Sequence, residues 1–474
     1  MKKIKFPSAY AILFFLIILA AVATWLVPAG TYERVTNEAL NKQVPVPGSY
    51  HEIAPSPQGL LDVLMAPIAG LYDPVSYEAR AIDISIFVLM IGGFLGVVTK
   101  TGALDAGLTK VLARLQGRES YMIPILMACF AAGGTIFGMA EETLAFYALI
   151  VPVMLRAGYD SLVGAAILIL GAGIGALAST INPFATVIAS NAAGIPFTDG
   201  IWLRFLLLFI GFAICAGWVM HYANKIKRIP ELSLVYDKKQ QIEQHFLGED
   251  LDDLELKEGQ HHAADLTLRR KVILVIFALT FALLVLGTSR LGWWMGEMST
   301  LFFASALLIG LIDRMGDHKF VSTFIEGAQE LLGVALIVGL ARGIVVIMDA
   351  GSITDTLLSW SAGALEGTGK IAFINLMFAI EFMLSFLVPS TSGLAVLTMP
   401  ILAPLASFSD VATNLVVTAY QSASGLVNLI TPTSAVVIGG LAIAHVPYDR
   451  WLKFMVVPFV LLGLLIIISL SIAV

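Results

Sequence analysis

Long apolar runs separated by short polar interruptions dominate this chain. A helix needs about 20 mostly apolar residues to cross a bilayer. By that measure spans are predicted near residues 8–28, 82–99, 161–193, 200–222, 269–288, 295–313, 330–349, 410–444 and 450–473. Two further apolar segments, 121–157 and 371–408, are split by polar residues, Gly138-Met139-Ala140-Glu141-Glu142-Thr143 in one and Val388-Pro389-Ser390-Thr391-Ser392-Gly393 in the other. Each is expected to be a re-entrant hairpin that enters and leaves the membrane on one side. Residues 103–115, 318–328 and 353–364 mix polar and apolar positions at helical spacing and predict helices lying along the interface.

The irregularities occur twice. Ser179-Thr180-Ile181-Asn182-Pro183-Phe184-Ala185 interrupts span 161–193, and Trp202-Leu203-Arg204-Phe205 follows. In the second half Asn428-Leu429-Ile430-Thr431-Pro432-Thr433-Ser434-Ala435 interrupts span 410–444, and Trp451-Leu452-Lys453-Phe454 follows. Pro183 and Pro432 stand about 249 residues apart. The pattern predicts an all-α polytopic membrane protein of two repeats. Residues 1–222 hold the hairpin 121–157 and the broken helix 161–193, and residues 269–474 hold the hairpin 371–408 and the broken helix 410–444. Between them, 223–268 form a charged linker with the acidic run Glu249-Asp250-Leu251-Asp252-Asp253-Leu254-Glu255, expected to be a solvated cytoplasmic connector.

Composition agrees with this picture: 58% of the 474 residues are hydrophobic and 13% charged, far from soluble averages. The net charge of -6 says little about partners, because much of the acid sits in the linker. Cys129 and Cys215 lie in apolar stretches and offer neither a disulfide framework nor a metal cluster. A cytoplasmic N-terminus puts most basic residues near span ends inside, among them Lys100, Arg156, Lys225, Lys227, Arg228, Arg269, Arg270, Lys271 and Arg314. Span 82–99 then runs inward and its counterpart 330–349 outward, so the repeats are expected to have inverted topology, the arrangement an inverted-repeat carrier requires. A multi-pass protein of the cytoplasmic membrane is expected. The first apolar segment follows Lys2, Lys3 and Lys5, but it is longer than a signal core and no clear A-x-A site closes it, so it reads as a retained span.

Backbone that leaves the helix at membrane depth exposes unpaired N–H and C=O groups, so it survives where it lines a cavity. Pro183 and Pro432 therefore mark sites or kinks. Around them Ser179, Thr180 and Asn182, and Asn428, Thr431, Thr433 and Ser434, supply oxygens that suit Na⁺ or polar substrate groups, while freed helix N-termini favour carboxylates. Helix packing through small polar residues is the competing reading. Glu141 and Glu142 sit with Thr143 in the first tip, and Glu381 within the apolar arm 371–387; intramembrane carboxylates default to ion or substrate pathways. A tip that reaches headgroups or water would make Glu141 and Glu142 ordinary. Ser390, Thr391, Ser392 and Gly393 form the second tip, where amides and hydroxyls can cradle an anion. Arg342 is a cation deep in a span, a partner for Asp349 or a carboxylate, or a snorkelling arginine.

Other motifs exclude more than they suggest. Gly171-Ala172-Gly173-Ile174-Gly175-Ala176 looks like a nucleotide loop but lies inside a span, where close helix packing explains it. His261-His262 has no ligand set nearby. The chain holds no P-loop, HExxH or G-x-S-x-G, which argues against ATP-driven transport and against a membrane hydrolase.

Together these residues resemble the YfcC-type transporters of the four-carbon dicarboxylate anaerobic carrier (DcuC-like) family, within the ion transporter superfamily. The resemblance rests on Thr24-Trp25-Leu26-Val27-Pro28-Ala29-Gly30, the Gly138–Glu142 tip, Leu397-Thr398-Met399-Pro400-Ile401-Leu402-Ala403-Pro404-Leu405 and Pro432-Thr433-Ser434-Ala435. It implies inverted repeats, tips meeting broken helices at the substrate site, a scaffold plus a transport domain, homodimers and elevator-like alternating access. Family members span dicarboxylates, short-chain acids and arginine–ornithine exchange.

The sequence thus predicts a secondary active transporter of a small carboxylate-bearing metabolite, with amino acids, including basic ones, ahead of dicarboxylates. Substrate-binding candidates are Glu141, Glu142, Thr143, Asn182, Pro183, Ser390, Thr391, Ser392, Gly393, Asn428, Thr431, Pro432 and Thr433. Ion-coupling candidates are Ser179, Thr180, Asn182, Glu141, Asn428, Thr431 and Glu381. No cofactor, structural metal or nucleic-acid partner is expected; Na⁺ or H⁺ would be the coupling ion. A passive channel is the alternative of another class.

Overall fold

In the computed structural model the described residues are 9–37, 42–104, 106–107, 119–247, 267–291, 293–388 and 390–474. The acidic run 249–255, His261-His262, Pro389 and most of 103–115 lie outside them. The apolar runs become α1 (Ala9–Leu26), α2 (Leu60–Leu71), α3 (Ile82–Lys100), α4 (Met122–Phe137), α5 (Tyr147–Arg156), α6 (Ser161–Leu177) and α7 (Ile188–Ala192). Next come α8 (Ile201–Arg228), α9 (Lys239–Leu247), α10 (Leu268–Arg290), α11 (Met295–Asp313), α12 (Asp317–Glu330) and α13 (Leu332–Ala350). The chain closes with α14 (Thr354–Leu365), α15 (Lys370–Leu387), α16 (Thr391–Phe408), α17 (Thr413–Asn428), α18 (Ala435–Ile443) and α19 (Tyr448–Ala473). Among the described residues six helices, α3, α8, α11, α13, α15 and α19, are long and apolar enough to cross a membrane.

Both interrupted segments turn back at their polar centres. α4 ends at Gly138, whose φ of 76° is left-handed backbone that glycine adopts without strain, and the chain returns through a 3₁₀ stretch, Glu141–Phe146, into α5. In the second segment α15 ends at Leu387 and α16 begins at Thr391. The two broken helices are also present: α6, a gap, a π-turn at Pro183–Val187 and α7; then α17, a gap and α18. A long helix follows each, α8 and α19. The element order therefore recurs: hairpin, broken helix, long helix.

Three features were not legible beforehand. Residues 30–52 form two short antiparallel pairs, Gly30–Thr31 with His51–Glu52 and Arg34–Asn37 with Lys42–Pro45. Helix α2 is too short for a span and contains Pro67. Helix α8 runs on to Arg228, past the expected linker boundary at 222, and α9 docks on α5 through the buried Ile242.

Glycines set how closely the helices approach. A Cβ on Gly134 would lie 2.2 Å from the Ala172 carbonyl, and one on Gly175 equally close to that of Ala131, so α4 and α6 touch backbone to backbone. This explains the glycine-rich stretch 171–176 by packing. In the same way α3 meets α12 at Gly92 and Gly327, and α2 meets α13 at Gly70 and Gly339. The buried apolar residues form two clusters. One joins α1, α2 and α13 through residues such as Leu13, Ile17, Ala66 and Ile344. The other holds both hairpins and both broken helices, with α3 and α10–α12 against them.

Candidate functional site

The first break is closed by two other elements. From α4, Thr135 Oγ1 accepts the Thr180 N–H at 3.0 Å and the Thr135 carbonyl accepts the Ile181 N–H at 3.3 Å. Asn182 Nδ2 donates to the Gly134 carbonyl at 3.1 Å, while its Oδ1 accepts from the Phe184 and Ala185 N–H groups at 2.8 and 3.2 Å. Asn182 thus pins the hairpin arm and caps the turn that Pro183 begins. From α17, Gln421 Nε2 donates to the Ser179 carbonyl at 2.9 Å, and its Oε1 accepts from the Thr186 hydroxyl at 2.8 Å. The Ser179 hydroxyl bonds to that of Thr186. The Thr180 and Ile181 N–H groups and the Ser179 carbonyl are thus satisfied, the last by a buried amide from the other half of the chain.

The second break is closed from within its own half. The α19 residue Trp451 donates Nε1–H to the Leu429 carbonyl at 2.9 Å, and the Tyr448 hydroxyl donates to the Ile430 carbonyl at 2.5 Å. The Thr431 and Thr433 hydroxyls lie 2.7 Å apart, and Ser434 caps α18 by accepting from the Val437 N–H at 3.4 Å. The sequence repeat is not kept in these roles: Trp202, in the place of Trp451, is 82% exposed. Arg204 is instead fully buried and donates to the Phe197 and Asp199 carbonyls.

Tips and breaks converge on one cavity of about 390 Å³, a size suited to a small ligand. Gly138–Glu142 line it from the first tip, Asn182, Phe184 and Ala185 from the first break, Ser390–Ser392 from the second tip, and Asn428 and Thr433–Val436 from the second break. α3 and α13 add Ile84, Val338, Ala341 and Arg342, and the chain before α3 adds Arg80. Of the sequence candidates, Glu141, Glu142, Asn182, Ser390, Thr391, Ser392, Asn428 and Thr433 face this space. Ser179, Thr180, Thr431 and Pro432 lie behind it in the walls, Thr143 is buried with its hydroxyl on the Ala140 carbonyl at 2.6 Å, and Gly393 is the third residue of α16. Glu381 is buried elsewhere, within α15. The side chain of Pro183 is outside the described set.

The cavity holds both signs of charge. Glu142 accepts the Ala140 N–H at 2.9 Å, and Arg80 is engaged by Asp73 at 2.6 Å and by the Ala69 carbonyl at 2.8 Å. Glu141 and Arg342 make no ion pair with any described residue. Asp349, the partner anticipated for Arg342, makes no ion pair with it but lies near enough for the two charges to act on each other, and it accepts from the Thr354 hydroxyl at 3.0 Å. Arg80 and Arg342 also border a second cavity of about 260 Å³ that reaches Asp349. Trp294 sits at the rim, its indole N–H on Asp83 at 3.1 Å and its ring 5.8 Å from that of Phe184.

Sequence reasoning missed Gln421, Thr135, Arg80 and Trp294. Gln421 alone carried a readable signal, an amide in the middle of a buried apolar span. Thr135 and Trp294 acquire their positions only once the hairpin and the loop before α11 fold.

A model of a family described as C4-dicarboxylate anaerobic carrier matches residues 6–474. An uncharacterized protein of Haemophilus influenzae is 33% identical, covering 99% of this chain and 96% of its own length. The putative basic amino acid antiporter YfcC of Escherichia coli is 32% identical, covering 98% of this chain and 94% of its own. Among solved structures, the YdaH transporter of Alcanivorax borkumensis aligns with a TM-score of 0.39 at 14% identity over 98% of this chain and 97% of that one. MtrF of Neisseria gonorrhoeae, described as one of a class of antimetabolite efflux pumps, aligns with a TM-score of 0.40 at 16% identity over 99% of this chain and 96% of that one.

Proposed function

The chain belongs to the C4-dicarboxylate anaerobic carrier family, and from that premise, as a multi-pass membrane transporter, we propose that it moves an amino acid by secondary active transport. One observation carries the choice of substrate: an unpaired cation, Arg342, and an unpaired carboxylate, Glu141, face the same small cavity without bridging each other. A solute bearing both a carboxylate and an ammonium or guanidinium pairs with both, each a half-buried charge without an ion pair of its own among the described residues. The second tip and the N-terminus of α18 add donors for the carboxylate. The name of the 32% identical YfcC relative, a putative basic amino acid antiporter, supports the same reading.

The transport cycle we favour is elevator-like alternating access between inverted repeats, in a homodimer of the cytoplasmic membrane with the N-terminus inside. Its support is the recurring element order and the separate apolar cluster of α1, α2 and α13, against which the hairpin-bearing part would move. Ser179, Thr180, Asn182, Asn428 and Thr431 remain coupling candidates through their oxygens around the breaks.

A four-carbon dicarboxylate is the second reading, favoured by the two arginines, Arg80 and Arg342, on the cavity wall. Counterflow in proteoliposomes preloaded with arginine, ornithine, succinate or acetate, at varied Na⁺ and pH, separates the two. Saturable arginine–ornithine exchange is expected. Exchange of succinate with no amino-acid flux would overturn the assignment, and conduction without saturation would indicate a channel.

A further inference from the structure

Glu381 lies in the middle of α15, fully buried, and neither carboxyl oxygen has a hydrogen-bond partner among the described residues. One turn further on, the buried Ser385 hydroxyl is also unpartnered. Thr398 of α16 lies against the acid, but its hydroxyl donates to the Leu394 carbonyl at 3.0 Å. From α17 the titratable group facing it is Tyr420, whose hydroxyl donates to the Thr391 carbonyl. The other elements packed on α15, namely α14 and α19, bring no charged group to it, and Lys370 at the start of α15 is paired with Asp410 at 2.5 Å. An ionised carboxylate with no cation, and with only hydroxyls beside it that already serve backbone carbonyls, is an expensive occupant of such a place, whereas a carboxylic acid can stay there and donate to a neighbouring oxygen.

We infer that Glu381 is a proton-binding site, separate from the substrate cavity, whose occupancy is passed to the second hairpin tip through Tyr420 and Thr391. The inference rests on the carrier reading. Thr391 lines the cavity, and Asn428 Nδ2 reaches its Oγ1 at 3.5 Å. With the proton on Glu381, the Tyr420 hydroxyl is free to hold the Thr391 carbonyl. When the proton leaves to water, the carboxylate becomes the stronger acceptor for that hydroxyl, because hydrogen bonds to a charged group are roughly twice as strong. The tip then loses its tether to α17. Loss and gain of one proton would in this way loosen and fasten the tip beside the substrate.

The test uses the full-length protein in proteoliposomes with two readouts. The first is the pH-difference infrared spectrum, which needs no substrate: wild type should show the carbonyl stretch of a buried carboxylic acid, and Glu381→Gln should lack it. The second is transport of radiolabelled arginine. Glu381→Gln should retain counterflow at equal pH and lose uptake driven by a pH gradient. Tyr420→Phe should shift the carboxyl band and the pH profile of exchange, and it serves in place of Glu381→Gln if that variant fails to fold. An undiminished carboxyl band in Glu381→Gln overturns the inference. So does pH-driven uptake equal to wild type, a spectrum unchanged by Tyr420→Phe, or uptake that follows a Na⁺ gradient alone. Absence of saturable counterflow in wild type instead overturns the carrier reading, leaving the infrared result to judge Glu381.

Discussion

Gln421 and Ser179 are 242 positions apart in the chain and joined by a 2.9 Å hydrogen bond, side-chain amide to backbone carbonyl. The first broken helix is therefore held open from the second half. Replacing Gln421 by Leu removes the donor to Ser179 and the acceptor for Thr186 while keeping the bulk. A buried group left unpaired costs about 1–3 kcal/mol. Gln421→Leu should lower the melting temperature of the detergent-solubilised protein and abolish uptake, whereas Leu at the exposed Phe209 should do neither.

Asn182 joins tip and break. A Cβ at Gly138 would lie 2.7 Å from Asn182 Oδ1, and φ at Gly138 is left-handed. Gly138→Ala should cost about 1–2 kcal/mol in backbone strain alone and also displace the amide. Asn182→Ala should cost about 1 kcal/mol as a lost cap. Both are expected to weaken substrate affinity in a scintillation proximity binding assay. The double variant should weaken it by less than the sum of the two, because both disturb the same contact.

Arg342 and Glu141 should divide the substrate between them. Removing a hydrogen bond to a charged group costs about 1.5–3 kcal/mol, or about tenfold or more in affinity. Arg342→Gln should raise KM for every amino acid tested. Glu141→Gln should raise it for arginine and lysine more than for a neutral amino acid. Equal effects of both variants on all substrates would show that the charges do not contact different ends of the solute.

His445, in the turn between α18 and α19, packs against His245 of the linker helix with ring centres 4.1 Å apart and the rings tilted by 30°. Burial first, then the neighbouring His245 and Lys238, push its pKa down to about 4 from 6.5. The folded state binds this proton less readily than the unfolded chain. The contribution is therefore complete above about pH 6.5 and is lost as pH falls toward about 4. Hydrogen exchange at residues 239–247 should accelerate across that window in wild type, and His445→Phe should flatten the change.

The architecture was legible where physics is local. Apolar length predicts the spans, and a polar tip in an apolar run predicts each hairpin, because unpaired backbone cannot face lipid. Glu141, Asn182, Ser390 and Asn428 announced themselves as polar residues at such places, and they line the cavity. What the sequence concealed depends on partners distant in the chain. Thr135 reads as an ordinary hydroxyl in a helix until it meets Thr180, and Trp202 and Trp451 are written identically although one is exposed and the other holds the Leu429 carbonyl. Glu381 was readable as an intramembrane acid, but only the fold places it away from the cavity.

Ala172 occupies the first-half position that Gln421 occupies in the second, so the help across the midline runs one way. A protein assembled from two copies of the first half would have nobody to satisfy its own opened carbonyls. One built from two copies of the second would bring a glutamine with nothing to grasp. The two halves are unequal partners, and neither can be exchanged for a duplicate of the other.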